Sequence, residues 1–149
     1  MTKAQPEITL APLLTEHWEQ AARKITDLAE AFPANQFESR PCDHVRSFAE
    51  VLRHVAFWNN YLADSLRGKD PDGSANELPQ QTYPDKASVL KVLARSSQDV
   101  VATIRDRESS LDSKAAALVM SFIEHTAEHY GQLAVYARLK GVTPPASRS

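Results

Sequence analysis

The chain carries five histidines, His17, His44, His54, His125 and His129. Two of them stand where one metal ion can use both. His125 and His129 are four residues apart, so on a helix turning ~100° per residue they differ by about 40° around the axis and lie one turn apart. Their seam continues through Leu118 and Phe122 on one side and Leu133 and Tyr136 on the other, an inward stripe. Imidazoles at this spacing chelate a divalent cation on other helices. The plainer alternative is a pair of half-buried core histidines, each hydrogen-bonded to its neighbours. His54 stands with Val51, Trp58 and Tyr61 on the apolar side of its own segment and, taken alone, reads as a core residue. Taken together, the three would bring neutral imidazoles into one core. Burying them without a shared partner is costly, whereas one divalent cation satisfies all of them.

Three protein ligands leave a coordination position open, which distinguishes a catalytic site from a closed structural one. A metal there lowers the pKa of bound water to ~7 or deprotonates a thiol, making a nucleophile at neutral pH. Cys42 is the only thiol of the chain and falls in a loop, so thiol chemistry would draw its nucleophile from an exogenous small molecule. Trp58, Tyr61 and Tyr136 are candidates for the pocket wall and Gln132 for a polar partner, with core packing as the alternative for all four. His17 lies near an inward stripe but borders Glu16 and Lys24 and is set aside as a ligand. His44 sits in a Pro/Cys/Asp loop and reads as solvated. The run His125-Thr126-Ala127-Glu128-His129 also spells the H-x-x-E-H pattern of inverted zinc peptidases. After His129 the chain has no Asp or Glu to serve as a further ligand, so Glu128 reads as an exposed or supporting carboxylate rather than a base.

The elements that must hold these residues follow from the punctuation. Nine prolines, at Pro6, Pro12, Pro33, Pro41, Pro71, Pro79, Pro84, Pro144 and Pro145, leave three long proline-free windows, and helices live where proline is absent. Alanine and leucine outnumber valine and isoleucine 35 to 14, a bias toward helix over strand. The spacing predicts an all-α chain with helices over about 9–32, 47–67, 85–107 and 113–140. The first has Thr9 as N-cap and Leu10, Leu14, His17, Ala21, Ile25 and Leu28 as its stripe. The second starts from a capping box at Ser47 and Glu50. Asp85 and Ser113 are the caps expected for the third and fourth, and Gly141 followed by Pro144 ends the last. The polar stretch 68–84 is a crossover or a lid over a site. Four amphipathic segments with one long connection make a four-helix bundle. Gly131, inside the fourth segment, marks close helix contact or room for a substrate.

At 149 residues the chain is one domain, 1–149, long enough to fold around a single core without disulfide or metal. Its four glycines, Gly68, Gly73, Gly131 and Gly141, are too scattered for a phosphate loop or dinucleotide fingerprint. One cysteine excludes an intrachain disulfide framework. A net charge of −2 with both signs interspersed shows no basic stripe for nucleic acid. Met1 to Pro12 lacks a signal-peptide pattern and no window reaches the ~18 apolar residues of a spanning helix. Neither membrane nor nucleic acid is expected as a partner, and a cytoplasmic location fits.

Several runs resemble the DinB/YfiT-like superfamily. They are Arg46-Ser47-Phe48 leading to His54, Glu124-His125, and His129-Tyr130-Gly131-Gln132-Leu133. Arg138-Leu139-Lys140-Gly141-Val142 and Pro144-Pro145-Ala146-Ser147 follow. The resemblance implies an up-down-down-up four-helix bundle, often a homodimer, holding a divalent metal, often nickel or zinc, on three histidines. These correspond to His54, His125 and His129. It further implies a range of activities that includes thiol-dependent S-transfer with bacillithiol, mycothiol or glutathione and the isomerisation of maleylpyruvate. DNA binding is not implied. Two readings stand. One is a divalent-metal-dependent enzyme of thiol S-transferase or hydrolase type acting on a small molecule. The other is a non-catalytic metal-binding stress-response scaffold or dimerisation module.

Overall fold

The computed structural model describes residues 9–149. Its helices are α1 (Leu10–Ala31), α2 (Phe48–Leu66), α3 (Lys86–Asp106) and α4 (Ser113–Leu139), with short 3-10 turns at Ala34–Gln36, Glu108–Ser110 and Pro145–Ser147. Among the described residues there is no strand, and no helix is long and apolar enough to cross a membrane.

Local chemistry sets the helix ends. Ser47 accepts from the Glu50 backbone N–H at 3.1 Å while the Glu50 carboxylate accepts from the Ser47 N–H, a reciprocal capping box. Asp85 and Ser88 do the same for α3. For α4 the cap is Asp112 rather than Ser113, because the Asp112 carboxylate reaches the Ala115 N–H at 2.8 Å. Thr9 occupies the N-cap of α1 without a side-chain capping bond. At the other end of the chain, Gly141 turns left-handed at φ +75°. The Val142 N–H then reaches the Ala137 carbonyl, and the Gly141 N–H reaches that of Arg138. These two bonds form the Schellman motif that closes a helix.

Cross-links give the direction of each helix. Arg53 donates to the Tyr83 carbonyl, Asn59 to the Ser96 hydroxyl and Arg67 to the Asp99 carboxylate, so α2 and α3 run parallel. His54 lies opposite His125 while Tyr136 reaches Arg46, so α2 and α4 are antiparallel. Trp18 bonds Ser97 while Lys86 donates to the carbonyls of Glu30 and Phe32, so α1 and α3 are antiparallel as well. One core cluster holds Ala11 and Leu14 from the start of α1 with Ala115 and Ala116 from the start of α4, and the other holds Leu28 and Phe32 with Leu133 and Ala137 from their far ends, so α1 and α4 run parallel. The topology is up-down-down-up, a four-helix bundle.

This topology explains the long connection. Helix α2 has 19 residues and is about 28 Å long at ~1.5 Å per residue, and the chain must return over that length before α3 begins. The stretch 67–85 makes the return along α2 itself. The Lys69 N–H bonds the Asp64 carbonyl, Gly73 lies against Trp58 and Tyr61, and the Leu78 N–H bonds the Arg53 carbonyl. Arg53, fully buried, forks onto Glu38 at 2.7 and 3.1 Å and also donates to the Tyr83 carbonyl. It thereby ties the loop after α1 and the end of the crossover to α2.

The inward face of α1 differs from the expected stripe. Its buried residues are Ala11, Leu14, Thr15, Trp18, Ile25, Leu28 and Ala29, whereas Leu10 is 44% exposed and His17 faces solvent. The cause is Trp18, 2% exposed, whose indole N–H bonds the Ser97 hydroxyl at 3.0 Å. Seating that ring against α3 turns the helix away from His17.

Candidate metal centre

The crossover, α2 and α4 meet at one polar cluster inside an otherwise apolar seam. His54, Trp58 and Tyr61 follow one another at helical spacing along α2, and Phe122, His125 and His129 do so along α4. The antiparallel register sets the two stripes face to face. His54, His125 and His129 each offer a ring nitrogen, and the three nitrogens lie within 4.8 Å of one another. The His54 and His125 Nε2 atoms are 3.0 Å apart.

Hydrogen bonds on the far side of the rings decide what faces inward. The Asn76 carbonyl lies 2.6 Å from His54 Nδ1. A carbonyl only accepts, so Nδ1 carries the proton and Nε2 presents its lone pair to the cluster. Asn76 is left-handed, with φ +58°, a conformation asparagine tolerates. Its side-chain oxygen also accepts from the Trp58 indole at 2.8 Å. For His129 the logic runs through three residues. The Arg46 carbonyl accepts from the Tyr136 hydroxyl, so the Tyr136 oxygen accepts from the Gln132 amide nitrogen, so the Gln132 Oε1 faces His129 Nδ1, each contact at 2.9 Å. His129 therefore carries its proton on Nδ1 and points a bare Nε2 inward. His125 Nδ1 is buried without a hydrogen-bond partner.

Bare nitrogens facing one another need a proton or a cation between them. One proton on His125 Nε2 serves His54 and leaves His129 without a partner. A divalent ion with Zn–N bonds of ~2.0–2.1 Å serves all three. The electrostatics favour the ligating form. Burial pushes the His54 pKa down to about 4, against the opposing bond to Asn76 and assisted by the charges of Arg46 and His129. Burial also pushes His125 to about 4, with His129, His54 and Arg46 adding in the same direction. For His129 burial lowers the pKa, the Gln132 bond opposes it, Arg46 lowers it and Glu128 raises it. The donor set thus fits a divalent metal.

Two walls flank the cluster. One is aromatic, with Trp58 4.8 Å from Tyr61 and 6.0 Å from Phe122 between ring centroids, and Phe122 edge-on to His125 at 6.1 Å. The other is Gln132, which bonds the outer nitrogen of His129 and also lines an open polar cleft of about 550 Å³ with Arg40, His44, Val45, Arg46, Glu50 and Glu77. Trp58 and Tyr61 accordingly stand beside the cluster. Gln132 stands there too, but both ends of its amide orient other groups. Tyr136 is 7% exposed with its hydroxyl committed to Gln132 and Arg46, which draws it into the core. His17 and Glu128 are exposed, and Cys42 and His44 lie exposed in the loop before α2. Gly131 is exposed and an added Cβ would meet nothing within 4 Å, so no helix approaches it closely.

Phe122 and Asn76 were not singled out by sequence reasoning as site residues. Phe122 precedes His125 by three and so shares its face, a signal present in the spacing. For Asn76 no local signal exists, because its role depends on where the crossover lands.

The sequence model of the DinB superfamily matches residues 17–136, a span that holds all three histidines and most of the bundle. No curated protein matches the chain.

Proposed function

The chain belongs to the DinB superfamily, and on that premise we propose that it is a divalent-metal-dependent enzyme of thiol S-transferase or hydrolase type. His54, His125 and His129 hold the ion. The observation that carries this reading is the convergence of three imidazole nitrogens, two of them fixed lone pair inward by Asn76 and Gln132. Imidazole donors suit nickel or zinc. Bound there, such an ion supplies a water or an exogenous thiol of lowered pKa as nucleophile. The protein's own part is to orient the imidazoles, to shield one side with Trp58, Tyr61 and Phe122, and to leave the polar cleft open to a small molecule. We also propose self-association as a homodimer, for which α1 exposes Leu10 and Leu13 and α4 exposes Met120, Val135 and Leu139. A cytoplasmic location agrees with the reading.

The test is the metal content of protein purified without an affinity tag, in wild type and in His129→Ala. Stoichiometric metal in the first and its loss in the second are expected. A wild type unable to take up nickel or zinc overturns the proposal. Metal-loaded protein is then screened with bacillithiol, mycothiol or glutathione and a generic electrophile. A melting temperature raised by metal with no thiol consumed by any partner points instead to the metal-binding scaffold.

A further inference from the structure

Arg46 immediately precedes the Ser47 cap, and its carbonyl is held by Tyr136, so its backbone is fixed at the mouth of the polar cleft. Its guanidinium donates through Nε to Glu77 at 2.9 Å, and no described residue accepts from either terminal nitrogen. Its neighbours are otherwise engaged. Arg40 spends its terminal nitrogens on the Val45 carbonyl and on Glu50, and Arg53 spends its own on Glu38. Arg46 shares the cleft with Gln132, which orients His129, and its charge bears on all three imidazoles.

A guanidinium engaged only through Nε still presents a planar pair of donors, the geometry that grips a carboxylate with two parallel bonds. Glu50 and Glu77 line the same cleft and balance the charges of Arg40 and Arg46. That suits a singly charged carboxylate better than a phosphate dianion.

We propose that Arg46 anchors the carboxylate of a small molecule whose other end reaches the three-histidine centre, so that the site prefers carboxylate-bearing metal ligands to neutral ones. This rests on the metal reading above.

The test uses cobalt(II)-loaded protein titrated with 3-mercaptopropionate and with its neutral amide, following the thiolate-to-cobalt absorption. A charged hydrogen-bonded pair predicts that the wild type binds the carboxylate about tenfold more tightly or better. In Arg46→Gln that ratio falls toward unity while the amide binds as before. In Glu77→Gln, where the carboxylate that engages Arg46 is gone, the ratio rises. Equal ratios in wild type and Arg46→Gln overturn the proposal. If cobalt is not taken up, the metal reading fails. In that case, or if neither thiol gives the absorption band, the Arg46 Nε–H resonance of the metal-free protein decides. A shift with the carboxylate and not the amide supports the anchor, and no shift overturns it.

Discussion

Acidifying the metal-free protein from pH 7.5 to 5.5 is expected to destabilise it, chiefly through His54 and His125. Both have folded pKa values pushed down to about 4 from 6.5. Between those limits the unfolded chain binds more protons than the folded one, so stability rises with pH. The contribution is complete above about 6.5 and is lost as the pH falls toward 4. At pH 5.5 each histidine costs about 1.3 kcal/mol more than at pH 7.5 by this linkage. Solvent at the cleft mouth screens part of it, leaving about 1.5–2.5 kcal/mol for the pair. With an unfolding entropy of about 2.1 cal/mol/K per residue, the melting temperature should fall by roughly 5–8 °C. His129 shifts in the same direction. The carboxylates Glu38, Asp72, Asp85 and Asp99 have lowered values, so their contributions are lost only below about their ordinary values near 4, outside the window. The assay is calorimetry of metal-stripped protein at constant ionic strength. A melting temperature that stays level or rises between pH 7.5 and 5.5 refutes the claim that the imidazoles are buried and neutral. Zinc should steepen the loss, because protons then compete with the ion for the same nitrogens.

Gln132→Leu removes the acceptor that orients His129 and should weaken zinc binding by about 10–100-fold while the fold persists, measured by competition with a chromogenic chelator. Gly131→Ala should raise stability by about 0.5–1 kcal/mol, since the position is helical and an added methyl meets nothing. A loss in denaturant titration would contradict the open surroundings of that residue. Glu38→Ala strands the buried Arg53 guanidinium and should cost about 3 kcal/mol, and the addition of Arg53→Met should recover much of that loss in the same titration.

The helices were legible because their signals are local. Proline positions, the Ser47–Glu50 box and the Gly141 stop each act within a few residues, and the ends they imply differ from the observed ones by a residue or so. The rotation of α1 was less legible. Apolar residues at Ala11, Leu14, Trp18 and Leu28 compete with Leu10, Leu14, Ala21 and Leu28 for the same helix. The choice is made by a bond from Trp18 to Ser97 on α3, 79 positions away. The parallel run of α2 and α3 was likewise not in any periodicity and came only with the resemblance to a known superfamily.

The candidate site divides along the same line. The pairing of His125 with His129 is a property of one helix, so spacing alone brings them onto one face. Their meeting with His54 depends on the antiparallel register of α2 and α4, a relation between elements. Two tyrosines show why residue type does not settle what touches the cluster. Tyr61 and Tyr136 both fall on inward stripes, yet Tyr61 joins the aromatic wall while Tyr136 is held in the core by Gln132 and the Arg46 carbonyl. That hydrogen-bonded chain has a direction. It begins at a carbonyl that only accepts and ends at a protonated His129 Nδ1, so the main chain at the start of α2 decides which nitrogen of a ring on α4 faces inward. Asn76 does the same for His54 from the crossover. The inward lone pairs are therefore set by folding, before any ion arrives, and the energetic penalty of facing them together is borne by the same contacts that close the bundle.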